Sequence, residues 1–256
     1  MRVVLWAGCL ATVVGVLWRT PISPVAVDRG DVLYGNGHVR DAVVHWNQVG
    51  HWHPLRGVRV RALQRAATVA AVDLGDHGLA REALRTLIED DGVAGVVRAD
   101  AWERLGHLEW TGFDDGEAAA SAFELAWRAA PEDHRAGERL VQAARARTDA
   151  SPVNEALKAW ERVASRVPAD RALARLAQGA LLLASGDEAA ALQAYDDALT
   201  SSEDPALQQA ARLGAATCKE RLGDLEAALA DLDAAELPTG VALERGRRMA
   251  ERTGDL

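Results

Sequence analysis

Along most of the chain, apolar positions recur at helical spacing rather than in alternation. Six times an alanine is followed by a large side chain four positions later, and by a small or aliphatic residue three positions beyond that. The alanines are Ala42, Ala80, Ala119, Ala156, Ala191 and Ala228, separated by 38, 39, 37, 35 and 37 residues. Their large partners are Trp46, Leu84, Phe123, Trp160, Tyr195 and Leu232, and the third set is Val49, Leu87, Ala126, Val163, Ala198 and Ala235. Positions i, i+4 and i+7 share one face of a 3.6-residue helix, so each triplet predicts a helix that buries this face. The alanine lets a second helix approach closely, and the large side chain fills the gap beside it. Pro54, Pro131 and Pro168 each follow the third set by five residues, where a helix has to stop. Gly75-Asp76, Gly186-Asp187 and Gly223-Asp224 precede three of the triplets. Glycine there supplies a positive φ, and the aspartate accepts a backbone N–H at the start of the following helix.

Self-similarity at a fixed period is the mark of a repeat architecture. The pattern resembles the tetratricopeptide repeat, over nearly everything after residue 22. The first helix of that family's unit carries an aromatic residue and then Leu-Gly; Trp102, Leu105 and Gly106 match it, and Gly30 and Gly179 keep the glycine. The unit here is longer than the family's usual length of about 34 residues, and the second and sixth triplets lack the aromatic. The resemblance implies an all-α fold, a right-handed superhelix (an α-α solenoid) of about six helical pairs. The repeats are expected over residues 23–240, with residues 241–256 forming a capping helix and tail. A helical pair has two apolar faces and cannot bury both alone, so units stack.

The resemblance also implies a protein-binding function, because in this family first helices line a concave groove where peptides or helices dock. Projecting the repeat frame places Arg65, Glu103, His107, Trp110, Arg145, Leu176, Leu183 and Arg221 on that groove. Chaperone-binding members hold a C-terminal carboxylate with lysine and asparagine, and neither occupies the matching positions here. Leu176 and Leu183 fit an apolar or helical ligand, or equally a packing role inside the fifth pair.

Ahead of the repeats, Val3 to Trp18 reads VVLWAGCLATVVGVLW, sixteen residues without a charge, between Arg2 and Arg19. As a helix it would rise about 24 Å, close enough to the bilayer's hydrocarbon thickness of about 30 Å for a span once Trp6, Trp18 and the arginines reach the interface. Residues 1–22 are therefore expected to be an N-terminal transmembrane helix. A single pass through a bacterial inner membrane would leave the repeats facing the periplasm or the exterior. The alternative is a cleaved signal segment releasing a secreted or periplasmic protein, an assembly or maturation factor that presents a client. Pro24-Val25-Ala26 is a poor cleavage site, because proline stands where a small side chain is wanted.

Composition narrows the function classes. Good helix formers dominate; only two Phe and two Tyr occur in 256 residues, which fits an all-α chain. The net charge is −9 with both signs interleaved, and no basic stripe is present, so nucleic acid is not an expected partner. Cys9 and Cys218 are too far apart in sequence to read as a disulfide framework or a zinc motif. His45, His51 and His53 cluster around Trp46 and Trp52 but read as a solvated turn before Pro54, not as metal ligands. No nucleophile elbow, phosphate-cradling glycine loop or paired-carboxylate motif occurs. An enzyme is not expected, nor is a cofactor.

Overall fold

The computed structural model describes residues 26–235. The apolar segment at residues 3–18 and the capping helix expected over residues 241–256 lie outside the described residues. The chain divides into two compact units, with the boundary between Arg139 and Leu140. Unit 1 contains α1 (Ala26–Gly35), α2 (Val39–Trp52), α3 (Arg56–Val72), α4 (His77–Glu89), α5 (Gly95–Gly112) and α6 (Gly116–Ala129). Helix α7 (Ala136–Ala150) crosses the boundary. Unit 2 continues with α8 (Val153–Arg166), a 3-10 turn (Pro168–Asp170), α9 (Arg171–Ser185), α10 (Glu188–Ser201), α11 (Pro205–Leu222) and α12 (Leu225–Ala234). Among the described residues there is no strand, and the helices form six consecutive pairs.

The periodicity accounts for the second helix of every pair. In all six, the motif alanine is the fourth residue of that helix. Every alanine, large partner and third-set residue is buried, with an exposure of 5% or less. Local turn chemistry sets where these helices begin. Asp76, Asp187 and Asp224 each accept the backbone N–H three residues on, at 3.1 Å. The glycines before them take φ values of 61°, 84° and 89°. The third pair reaches the same turn without glycine: Asp114 adopts φ 55°, and Asp115 caps Ala118 N–H at 2.9 Å.

First helices are shaped to receive the large side chains. A Cβ on Gly106 would lie 2.8 Å from the Phe123 ring, and one on Gly179 would lie 2.8 Å from that of Tyr195. Gly30 gives Trp46 the same close seat, and the indole Nε1–H donates to Val27 O at 3.1 Å. Gly214 presses on Tyr195 as well, so that ring is held between α9 and α11. In sequence the equivalents of these seats in the other pairs are Ala67, Ala144 and Ala216, all buried. Trp160, opposite Ala144, donates its Nε1–H to Thr148 Oγ1 at 2.8 Å.

Candidate binding surface

A cleft of about 350 Å³ opens in unit 1 between α3 and α5, with α4 behind it. Thr68, Ala71 and Val72 form one wall; Arg104, His107, Leu108 and Thr111 form the other; His77, Ala80 and Leu84 close the back. The wall from α5 is a single helical stripe at i, i+3, i+4 and i+7. Its polar groups hold one another in place: Arg104 Nη1 donates to Thr68 Oγ1 at 3.0 Å, and Thr111 Oγ1 donates to the His107 carbonyl at 2.8 Å. The His107 ring meets the Phe123 ring edge-on at 5.0 Å between centroids. Val72 is 75% exposed at the mouth, and a ring nitrogen of His77 is buried without a hydrogen-bond partner. The lining thus combines an apolar floor with a guanidinium and two imidazoles, and no carboxylate belongs to it.

Of the residues projected onto a groove from sequence, His107 lines this cleft and the rest are distributed elsewhere. Glu103 requires a correction, because it is 4% exposed and belongs to an internal ion network. Arg139, whose side chain is fully buried, donates from Nε to Glu103 at 2.9 Å, from Nη1 to Asp133 at 2.7 Å and from Nη2 to Asp100 at 2.7 Å. Arg135 pairs with Glu103 too. The reason is geometric: one turn of α5 carries Asp100 and Glu103 towards α7, while Arg104 and His107 face α3. Desolvation opposes charge on Arg139 and on Asp133. The hydrogen bonds and ion pairs win, holding Arg139 above the ordinary guanidinium value and the Asp133 carboxyl below the usual carboxylate range.

Trp110 is only half-buried, with its ring 6.2 Å from that of Phe123; it leans on the core instead of standing clear of it. Arg65 is exposed but ion-paired with Asp31 of α1. Arg145 is exposed on α7. Leu176 and Leu183 pack against the cluster of Tyr195, Ala198, Ala211 and Cys218, which favours the packing role over a ligand. Arg221 is spoken for as well, donating to the Leu183 carbonyl at 3.2 Å and lying 3.6 Å from Glu188.

The histidine cluster also reads differently in three dimensions. His53 is buried, 1% exposed, and its Nδ1 accepts the Leu55 N–H at 3.1 Å, so it braces the turn instead of facing solvent. His51 lies in the last turn of α2 at the surface, 3.2 Å from the Asn47 carbonyl. Among the described residues no group of three or more His, Cys, Asp or Glu side chains is placed to hold a metal ion.

A second cleft, of about 570 Å³, lies in unit 2 among α8, α9 and α10. Its central polar side chains are bonded to one another. Arg175 Nη1 donates to Glu161 at 2.7 Å and to Gln178 Oε1 at 2.8 Å, and Gln178 Nε2 donates to Glu161 at 3.1 Å. The Gln178 hydrogen bond and the Arg175 charge hold the Glu161 carboxyl below its ordinary value. Arg175 is thus held by a carboxylate in this cleft, whereas Arg104 in unit 1 meets a hydroxyl.

No protein-family model matches the chain, and no curated protein matches it. Among solved structures it is similar to BtubC (BKLC) from P. vanneervenii, at 16% identity over 90% of this chain and 93% of that one, with a TM-score of 0.50. It is also similar to YrrB, described as a TPR protein with an unusual peptide-binding site, at 16% identity over 76% and 94%, with a TM-score of 0.47. A tetratricopeptide repeat protein from Parabacteroides merdae ATCC 43184 aligns at 16% identity over 91% and 88%, with a TM-score of 0.39. At such identities the likeness is one of fold alone.

Proposed function

We propose that this protein is a tetratricopeptide-type scaffold that binds a polypeptide in the α3–α5 cleft of unit 1 and is tethered to a membrane by residues 3–18. The observation carrying the first part is the cleft itself: apolar at its base, open at Val72, and bearing Arg104 with no carboxylate partner among the described residues. That combination suits a short peptide or helix that inserts an apolar side chain and sets an acidic group against Arg104. The tether rests on the uncharged run Val3 to Trp18. No described helix is long and apolar enough to cross a membrane, so residues 3–18 carry that role in this reading. The protein then acts by holding a partner at the envelope and not by chemistry of its own.

A photo-crosslinking amino acid at position 72, placed in the full chain in its native host, tests the binding site. A defined polypeptide adduct is expected from position 72 and not from position 85 on the exposed face of α4. Arg104→Glu should reduce the adduct at least several-fold without moving the thermal midpoint. Equal adducts at both positions, or an adduct indifferent to Arg104→Glu, would remove the cleft as the site.

A further inference from the structure

Trp52 is 77% exposed and Leu55 is 56% exposed, three residues apart at the end of α2 and the start of α3. Trp46, six residues earlier on the same helix, is 2% exposed. The difference follows from phase: Ala42, Trp46 and Val49 form the buried stripe of α2, and Trp52 falls about 80° away from it at 100° per residue. Nothing within the described fold uses these two side chains.

Their position relative to the preceding chain is what gives them a partner. Helices α1 and α2 run antiparallel about the turn at residues 36–38, and Gly30 seats Trp46. That register brings the start of α1, at Ala26, beside residue 50 of α2. The described chain therefore begins at the edge of unit 1 that carries Trp52 and Leu55. Only seven residues, 19–25, separate that point from Trp18, and two are prolines; even fully extended they reach no more than about 25 Å.

Part of the turn's backbone on this edge is matched internally: His53 N–H donates to Val49 O at 3.0 Å, His53 O accepts from Arg59 Nη1 at 3.0 Å, and Leu55 N–H donates to His53 Nδ1 at 3.1 Å. Unmatched amides would oppose entry into an apolar medium. Next to Leu55, the Arg56 side chain is 57% exposed and lies 3.9 Å from Asp90, a carboxylate that Arg59 also holds, so the edge carries both arginines beside its apolar pair. Tryptophan prefers the membrane–water interface, where one end of the ring is apolar and the N–H is wet.

We infer that the Trp52–Leu55 edge of unit 1 rests in the headgroup region of the bilayer that residues 3–18 enter, fixing the scaffold close to the lipid surface. The inference depends on the tether proposed above, and the experiment separates the two. Full-length protein carrying Cys9→Ser and either Leu55→Cys or Asn36→Cys is labelled with an environment-sensitive fluorophore; native Cys218 is fully buried. Position 36 lies in the turn at the far end of the first pair. Each protein is reconstituted into phosphatidylethanolamine–phosphatidylglycerol vesicles and floated on a density gradient, and spectra are taken with and without nitroxide-labelled lipid. The expected result is a blue-shifted label at position 55, quenched at least twofold by the nitroxide, and an unaffected label at position 36. If the protein floats but position 55 is no more quenched than position 36, the edge does not touch lipid and the inference falls while the tether stands. Should the protein fail to float, the tether falls and takes the inference with it.

Discussion

Replacing Arg139 with methionine is the sharpest perturbation of unit 1, because methionine keeps the unbranched apolar stem while the guanidinium, with its charge and its N–H donors, is lost. The guanidinium is fully buried and bonded to three carboxylates, of which Glu103 and Asp133 are themselves 5% and 8% exposed. Asp100 is 39% exposed, and water takes over for it at little cost. Breaking a buried pair by removing one partner costs about 3–5 kcal/mol, because the other is left charged and desolvated. Arg135 remains on Glu103, which puts the expected cost at the low end, about 3 kcal/mol. With a urea slope of about 2 kcal/mol per molar, the unfolding midpoint falls by about 1.5 M. Far-UV circular dichroism and tryptophan emission during urea titration measure it directly. A second variant isolates the cause: adding Glu103→Gln and Asp133→Asn to Arg139→Met removes the stranded charges and should recover about half of the loss, since an uncharged trio no longer needs the arginine. A cost under about 1 kcal/mol for Arg139→Met, or a triple variant no more stable than the single one, would refute the reasoning. In either case the buried network would not be what holds α5 to the start of α7.

Two further predictions concern stability. Gly106→Ala should lower the thermal midpoint, because its Cβ meets the fully buried Phe123 ring at 2.8 Å and overpacking of about 1–3 kcal/mol outweighs a helix-propensity gain of about 1 kcal/mol. Gly57→Ala, on α3 with nothing within 4 Å, should instead raise it, and identical effects from the two would remove the seat as the cause. Acidification should also destabilise the fold. The Arg59 hydrogen bond holds the Asp90 carboxyl low, against a smaller desolvation effect; at Asp133 the Arg139 bonds prevail over desolvation. Their contribution is complete above the unfolded carboxylate value of about 4 and is lost as the pH falls through the lower folded-state values. Midpoints measured from pH 6 downwards should therefore decline, and less so in Asp133→Asn.

The second helices were legible in the sequence because a single face does all the work: an alanine, a large side chain and a third apolar residue at fixed spacing leave one way to bury them. Their starts were legible where Gly-Asp appears. The third pair escaped that reading, since Asp114 takes over the glycine's backbone conformation without announcing it. First helices were harder, because they meet neighbours on two sides and the choice between those sides is made elsewhere in the chain. Glu103 looked like a groove residue until Arg139, thirty-six positions on, came to meet it. Arg104, Leu108 and Thr111 lie on the same stripe as His107 and were findable from it, but as isolated positions they pass for ordinary surface. His53 was misplaced for a related reason: its ring is recruited by the amide of Leu55, a partner that spacing rules do not consider.

The seats under the large side chains carry a consequence for how this chain can vary. Where the second helix brings Trp46, Phe123 or Tyr195, the first helix yields a glycine; where it brings only Leu84 or Leu232, the matching residue has grown to Ala67 or Ala216. Ring plus hydrogen and leucine plus methyl occupy comparable space, so the absence of an aromatic in the second and sixth pairs is compensated rather than tolerated. Trp160 above Ala144 is the exception, and its indole has found Thr148 one turn further along. Drift at these paired sites is therefore expected to be concerted. A substitution that enlarges one member is survivable mainly in a background where the other has already shrunk, and the order in which the two changes arrive decides which repeats can exchange sequence with one another.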